Sequence, residues 1–167
     1  EPARLAWLWP VTTVPDRALD GVQLNELTAA EMAAGGRLSR IVNGAGASRI
    51  TWVFDPNTLQ TAEDMVDGYT VTGGQEPTIG GGGPAAQEWL DAVRRSAATQ
   101  ESVATAYALP DATALERAEM GETVIVATER AAADVSAGVR SRVEDVLAWP
   151  TGGNTTPATM RLFREAG

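Results

Sequence analysis

Aromatic and polar side chains recur at the ends of four apolar runs, and each of these runs stops at a proline. The four junctions are Trp9-Pro10, Asp55-Pro56, Leu109-Pro110 and Trp149-Pro150. If the runs are parallel strands that lead into helices, their carboxyl ends meet at one rim, where α/β proteins bind ligands. The candidate ligand-binding residues along this rim are Trp9, Thr12, Trp52, Asp55, Tyr107, Asp111, Trp149 and Asn154.

Asp55 and Asp111 are the two carboxylates of this set and the weak candidates for catalysis. Glycoside hydrolysis requires a pair of carboxyl groups about 5 to 9.5 Å apart. Aromatic faces beside carboxylates and amides are also common in sugar-binding clefts. The simpler interpretation is structural, because Asp beside a proline is favoured as a helix N-cap and tryptophan at a strand end commonly packs in the core.

The composition removes most other chemistries. The 167 residues contain no histidine, no cysteine and no lysine, so all 13 basic residues are arginine. The chain therefore lacks thiolate nucleophiles, Schiff-base lysines, histidine bases and the nitrogen and sulfur ligands of metals. No G-x-S-x-G pattern marks a serine nucleophile. We predict no metal site and no cofactor.

Charge and hydropathy restrict the partners. The chain has 22 acidic residues and a net charge of −9, which repels nucleic acid and anionic lipid. No stretch approaches the ~20 apolar residues of a membrane span, so direct membrane insertion by this segment is not expected. Glu1 falls just before the first apolar run, which suggests a mature or trimmed product.

The apolar runs predict four strands separated by helices. The predicted strands cover residues 3–9, 50–54, 102–109 and 143–149. Helices are predicted to begin at a Thr28/Glu31 capping box, near Leu38, at Pro56, at Pro84, at Pro110-Asp111, at Thr123 and at Pro157. The helix near Leu38 is expected to stop at Gly44 and Gly46. Residues 123–142 are predicted to form one helix.

Residues 69–83 interrupt this pattern. They are rich in Thr, Gly and Pro and end in four consecutive glycines, Gly80 to Gly83. We expect a flexible surface excursion without ordered packing of its own, because such tracts behave as linkers. A phosphate-binding loop is the weaker alternative, since the tract lacks a P-loop lysine and does not directly follow a strand.

The order of elements, β-α-α-β-α-α-β-α-α-β-α, predicts an α/β fold. Its parallel strands alternate with helices through right-handed crossovers. Residues 1–167 then form a single α/β domain or a barrel fragment. Four strands followed by a helix leave an open sheet edge, so we expect an incomplete β/α barrel whose remainder lies beyond residue 167.

Five stretches of the sequence together carry a family resemblance. They are Leu-Ala-Trp-Leu-Trp-Pro at 5–10, Gly-Gly-Arg-Leu at 35–38, Ile-Thr-Trp-Val-Phe-Asp-Pro at 50–56, Ala-Tyr-Ala-Leu-Pro-Asp at 106–111 and Ala-Trp-Pro-Thr-Gly-Gly at 148–153. In this order they resemble an actinobacterial family of unknown function. Its members are large secreted proteins tethered by a carboxyl-terminal membrane helix and commonly encoded beside the lipid II flippase. The resemblance covers nearly the whole chain and implies an extracytoplasmic location in the cell envelope.

The same strand endings are similar, more distantly, to the amino-terminal half of the glycoside hydrolase/deacetylase superfamily, especially the family fifty-seven amylase-like enzymes. That resemblance implies a seven-stranded β/α barrel with a cleft. The chain differs from those enzymes at the positions of their catalytic and metal-binding residues. Trp7-Leu-Trp-Pro10 stands in place of a histidine-containing motif, and Trp149-Pro150 stands in place of a nucleophilic carboxylate. The Asp-His-His metal site of the deacetylase branch has no counterpart, because histidine is absent.

Three functional hypotheses follow. The first is a degenerate, non-catalytic barrel domain of a cell-envelope protein that binds a cell-wall glycan or an envelope membrane protein. The second is a carbohydrate-active hydrolase that uses Asp55 and Asp111 or a carboxylate outside this chain. The third is a structural scaffold without a ligand. An open cleft that brings both carboxylates within about 10 Å would favour the enzyme, whereas two helix caps would not.

Overall fold

The computed structural model describes residues 5–18, 21–45, 48–73 and 76–167. In chain order the elements are β1 Leu8–Val11, α1 Leu27–Met32, α2 Arg37–Gly44, β2 Thr51–Phe54, α3 Pro56–Asp67, β3 Thr70–Val71, β4 Thr78–Ile79, α4 Gly83–Ala97, β5 Glu101–Thr105, α5 Ala112–Arg117, α6 Glu122–Glu129, α7 Ala131–Val139, β6 Val146–Leu147, a 3-10 turn at Thr151–Gly153, and α8 Pro157–Ala166. Glu1, the start of the first predicted strand at residue 3, and Gly46 lie outside the described residues.

A parallel four-stranded sheet organises the chain, in the order β1-β2-β5-β6. The register aligns Val11 of β1 with Phe54 of β2, and Phe54 with Ala104 of β5. Ala104 in turn faces Val146 of β6. Neighbouring strands of this sheet are joined by segments that contain helices. The prediction of an α/β fold with parallel strands and alternating helices is confirmed.

Strand β1 continues through Pro10, where the sequence predicted that it would stop. β1 is an edge strand that pairs with β2. The carbonyl of Trp7 accepts a hydrogen bond from Thr51 N (2.9 Å), and that of Val11 accepts one from Asp55 N (3.3 Å). Because backbone groups alternate sides along a strand, the nitrogen of Pro10 faces away from β2. Its missing N–H therefore removes no bond from the sheet.

Strands β5 and β6 are shorter than predicted. Residues 102–109 form a strand only as far as Thr105, and residues 143–149 form one only over Val146–Leu147. Beyond Thr105 the backbone leaves the strand, because Ala108 and Leu109 adopt φ values of 59° and 48°. Such left-handed values do not occur in regular strands.

The main apolar core lies between the sheet and helices. Trp52 and Phe54 are fully buried, and their rings stack with centroids 5.7 Å apart. Helices α2, α3, α4 and α7 add to this cluster the buried side chains Leu38, Leu59, Leu90 and Val135. Burial of each such side chain contributes about 2 kcal/mol. A smaller apolar cluster joins α5, α6 and α8.

Local signals place two of the helices correctly. α3 begins at Pro56 and is capped by the side chain of Asp55, as predicted. α4 begins one residue before the predicted Pro84 and buries Trp89, Leu90 and Val93 at helical spacing. In both cases the deciding information lies within a few residues of the helix.

Two other helix predictions are wrong. The N-cap of α1 is Glu26, which makes no side-chain cap bond, and Thr28 lies inside the helix. The Thr28 hydroxyl donates instead to Asp16 in the loop after β1 (3.0 Å), so a tertiary contact replaces the capping box. Residues 123–142 contain two helices, α6 and α7, that meet at Arg130.

In the segment 69–83, the described residues 69–73 and 76–83 include two short strands and a closely packed glycine run. β3 and β4 pair antiparallel, and Tyr69 is buried. A Cβ on Gly80 would lie 2.2 Å from the Tyr69 ring, and a Cβ on Gly82 would lie 2.4 Å from the Cβ of Ala29. Close approach thus requires glycine at these two positions, and the two short strands were not predicted from the sequence.

Candidate functional site

Asp55 lies at the centre of the rim, between the ends of β2 and β5, and has no exposed surface. Its Oδ1 accepts hydrogen bonds from the N–H groups of Asn57 (3.1 Å) and Ala108 (2.9 Å), and its Oδ2 accepts one from the Thr58 hydroxyl (2.9 Å). Burial raises the pKa of the Asp55 carboxyl, although these hydrogen bonds oppose the rise. Asp55 therefore caps α3 and also binds the loop after β5.

Asp111, the second candidate carboxylate, is exposed and lies at the start of α5. Its Oδ1 accepts a hydrogen bond from Ala114 N (3.0 Å), which makes it the N-cap of that helix. Asp55 and Asp111 thus each cap their own helix, and Asp55 offers no surface to a ligand. This arrangement fits two structural caps rather than the carboxylate pair of a glycosidase.

Three other candidates at the ends of β1 and β2 make structural contacts. The Nε1 of Trp9 donates to the carbonyl of Ile41 in α2 (3.1 Å). Trp52 has no exposed surface. The backbone carbonyl of Thr12 accepts a hydrogen bond from Arg37 (2.7 Å). Trp9 and Trp52 therefore pack against the helices and do not form an aromatic rim.

Tyr107 lines a cleft of about 750 Å³, which we call the Tyr107 cleft. The cleft lies between the loop after β5, helix α3 and helices α6 and α7. Its apolar walls include Pro56, Leu59, Pro110, Val126 and Ala137. Its polar side chains include Gln60, Glu63, Arg130 and Asp134. This volume is in the range of small-molecule binding sites, about 300 to 1,000 Å³.

Tyr107 is held in place from both ends. Its hydroxyl donates to Gln60 Oε1 (2.9 Å) and accepts from Arg17 Nη2 (2.6 Å). Its backbone N–H donates to the carbonyl of Ala127 (2.8 Å). Arg17 also pairs with Asp64 of α3. These contacts join the loops after β1 and β5 to α3 and α6, so the cleft has a defined shape.

Two ion pairs flank the cleft. Glu63 Oε1 lies 2.9 Å from Arg94 Nη2, and Arg94 Nε also donates to the carbonyl of Gly138 (2.9 Å). Asp134 lies 3.5 Å from Arg130, whose side chain is 83% exposed. Exposed pairs of this kind contribute little stability, and both side chains remain accessible at the cleft.

Asp111 and Asn154 line a second cleft of about 390 Å³, which we call the Asn154 cleft. Its other hydrogen-bonding side chains are Thr113, Arg117, Thr151, Thr155 and Thr156. The hydroxyl of Thr113 donates to the carbonyl of Asn154 (3.0 Å), which ties the loop after β6 to α5. Trp149 is 37% exposed and lines neither the Tyr107 cleft nor the Asn154 cleft.

A polar network supports the loop after β1. The carboxylate of Asp16 accepts from Thr28, and that of Glu31 accepts from Arg37 (2.6 Å) and from the Thr13 hydroxyl (3.1 Å). The hydrogen bond from Arg37 lowers the pKa of Glu31, whereas burial raises the pKa of Asp16. The sequence offered no signal for this network, because its members come from two separate segments.

The sequence offers no signal for three further residues at or beside the Tyr107 cleft, Arg17, Gln60 and Arg130. Gln60 and Arg130 are polar residues on helices, and such residues ordinarily predict a solvated helix face. Arg17 lies in a loop without a motif. Only the packing of α6 and α7 beside α3 makes these residues part of a cleft.

Within the described ranges, no three Asp, Glu, His or Cys side chains are grouped so that they could hold a metal ion. In the same part of the chain, no helix combines the length and apolar character needed to cross a membrane. No protein-family model and no curated protein matches the sequence. The fold and the rim define a parallel α/β domain in which the loops after β5 and β6 line the Tyr107 cleft and the Asn154 cleft.

Proposed function

We propose that this chain is a non-catalytic binding domain of a cell-envelope protein and that the Tyr107 cleft holds a cell-wall glycan. The observation that carries the proposal is the cleft's composition, in which one aromatic ring lies among aliphatic walls with polar side chains beside it. A sugar ring has apolar faces and hydroxyl edges, so it is bound by this combination of groups. The assignment to the envelope rests on the sequence resemblance.

The state of the carboxylates supports binding over hydrolysis. Asp55 is buried and Asp111 caps α5. Glu63 and Asp134, which line the cleft, each have an arginine partner. A hydrolase that takes its carboxylate from outside this chain is the competing proposal, and turnover of a saccharide is its signature.

We also infer that the sheet belongs to a seven-stranded β/α barrel. Its four strands are parallel and follow the chain order, as barrel strands do. Helices α2, α3, α4 and α7 share one apolar cluster with Trp52 and Phe54. Val53 is fully buried but belongs to neither apolar cluster, which supports an opposite, inward face. In the described part of the chain, β1 and β6 each pair with one strand. Further barrel strands would pair there, and a strand beside β1 would lack the hydrogen bond that the nitrogen of Pro10 cannot donate.

Titration with soluble cell-wall saccharides tests the glycan proposal, with binding followed by calorimetry and by amide chemical shifts. We expect the largest shifts at Tyr107 and along α6 and α7. Val126, 62% exposed in the cleft, and Val66, 37% exposed on α3 outside it, provide a matched pair. Val126→Arg should weaken binding at least about tenfold, the loss of one good contact. Val66→Arg should leave binding unchanged.

Other outcomes point elsewhere. If the largest amide chemical shift changes occur at Asn154 and Thr155, the glycan binds in the Asn154 cleft instead. Release of reducing sugar from the saccharides by the wild-type protein would favour the hydrolase. If no saccharide binds the wild-type protein, the glycan proposal is wrong, and a protein partner or a scaffold role replaces it.

A further inference from the structure

We infer that Asp55 is a positioning residue whose buried carboxylate holds the Ala108–Leu109 turn, and through it Tyr107, in the shape that forms the Tyr107 cleft. This inference rests on the proposed function only for the identity of the ligand. The turn and its dependence on Asp55 can be measured without any ligand.

The turn needs an external contact to hold it. Ala108 and Leu109 are consecutive residues with positive φ, 59° and 48°, and both carry a Cβ. Side-chain-bearing residues adopt this conformation where surrounding contacts over-determine it. Leu109 also precedes Pro110, and a proline pushes the residue before it toward extended conformations. The local sequence therefore opposes the observed turn.

Asp55 supplies the contact that the turn lacks. The N–H of Ala108 donates to its Oδ1 (2.9 Å), and a hydrogen bond to an ionised acceptor is stronger than one between neutral groups. The carboxylate is itself fixed by Asn57 N and by the Thr58 hydroxyl. The Thr58 hydroxyl oxygen also accepts from Thr13 N (3.0 Å). One chain of hydrogen bonds thus runs from the loop after β1 to the loop after β5.

The Ala108–Leu109 turn fixes part of the wall of the Tyr107 cleft. Tyr107 directly precedes it, and Ala108 and Pro110 are themselves lining residues. If the turn relaxes, the hydrogen bonds of Tyr107 to Ala127 and Gln60 are strained or lost. Asp55 therefore controls the shape of the cleft without touching a ligand in it.

Amide hydrogen exchange at Ala108 tests this role directly. In Asp55→Ala the N–H of Ala108 loses its acceptor, and its exchange should accelerate about tenfold or more relative to slow core amides. Asp55→Asn retains one acceptor oxygen and should show a smaller acceleration. The matched control is Thr156→Ala, which removes the N-cap of α8, a side chain that bonds Thr159 and no atom of the turn. It should lower stability without a selective effect at Ala108.

A rescue experiment separates positioning from simple capping of α3. Glycine adopts left-handed φ without a Cβ penalty, so Ala108→Gly in the Asp55→Asn background should return the Tyr107 ring signals to their wild-type positions. If Asp55 only caps α3, glycine at position 108 restores nothing.

The inference is overturned if exchange at Ala108 changes no more in Asp55→Asn than in Thr156→Ala, or if the rescue fails. Should Asp55→Ala not fold, Asp55→Asn alone gives the answer. If the wild-type protein binds saccharides, Asp55→Asn should weaken that binding and the glycine variant should recover it. If it binds none, the proposed ligand is wrong, and the exchange and ring signals still decide the role of Asp55.

Discussion

Asp55, Asp111 and Glu31 carry the same kind of acidic group in three different surroundings. Asp55 is buried among neutral donors, and its desolvation raises its pKa. Glu31 is bound by Arg37, whose hydrogen bond lowers its pKa. Asp111 is exposed and caps a short helix. The surroundings of a carboxyl group decide whether its ionised form is stabilised, because the charge is costly only where water and hydrogen-bonding partners are missing.

Opposite pH dependences should follow for Asp55 and Glu31. The folded chain holds the Asp55 proton more tightly than the unfolded chain does, where the pKa is near 3.8. Its contribution to stability is therefore largest below 3.8 and declines as pH rises through the raised folded value. Glu31 contributes stability above its usual 4.5, and this is lost as pH falls through its lowered folded value.

Urea unfolding of the wild type, Asp55→Asn and Glu31→Gln between neutral pH and about pH 4 measures this difference. The stability of the wild type relative to Asp55→Asn should increase as pH falls. Its stability relative to Glu31→Gln should decrease over the same range. If both differences move in the same direction, the assigned surroundings of one of the two groups are wrong.

At the scale of elements, Tyr69 anchors the ribbon formed by β3 and β4, together with backbone bonds to Gln23. The hydroxyl of Tyr69 donates to Glu26 and accepts from Gly82 N (2.9 Å), and its burial raises its pKa to about 12. The glycine run passes so close to this ring and to α1 that side chains are excluded at particular positions. The run therefore serves packing at those positions, although its composition is that of a linker.

Adjacent glycines in this run should respond differently to alanine. A Cβ at Gly82 would lie 2.4 Å from Ala29 Cβ and 2.7 Å from the Tyr69 hydroxyl, whereas a Cβ at Gly81 meets nothing within 4 Å. Gly82→Ala should lower the free energy of unfolding by about 1 to 3 kcal/mol through overpacking. Gly81→Ala should change it by less than about 0.5 kcal/mol. Urea titration of the two variants is the measurement, and equal stabilities would show that the run does not pack against Tyr69 and α1.

At the scale of the whole molecule, one parallel sheet and a large negative charge set the properties of the chain. The sheet brings residues from distant segments to one rim, and α6 and α7 complete the cleft beside it. The excess of 22 acidic over 13 basic residues gives a net charge of −9. Mutual repulsion of these charges opposes the compact state at low ionic strength.

Salt should therefore stabilise the protein at neutral pH. Raising the ionic strength from about 0.01 M to about 0.15 M shortens the screening length from about 30 to about 8 Å. The free energy of unfolding should rise by about 1 kcal/mol, the upper end of what exposed charges contribute. Near the isoelectric point of about 4.5 the same change of salt should have little effect. A loss of stability with salt at neutral pH would mean that the ion pairs outweigh the net repulsion.

The sequence by itself determined the features that depend on near neighbours. The cap of Asp55 on α3, the inward face of α4 and the buried run of β2 could be predicted because each is encoded within about a dozen residues. These local signals also sufficed for the class of fold, since strands that alternate with helices pair in parallel. They did not determine whether residues 123–142 form one helix or two.

Only the tertiary structure decided which side chains share a cleft. Tyr107 is hydrogen-bonded to Arg17, which is 90 residues away in the sequence. Thr28, which was expected to cap a helix, donates a hydrogen bond to Asp16. Pro10 stays inside a strand because that strand lies at a sheet edge. Trp52 faces the core, whereas Gln60 and Arg130 face the cleft. The physical reason is that hydrogen bonds and burial depend on distance in space, and spacing along the chain fixes that distance only within a helix or a strand.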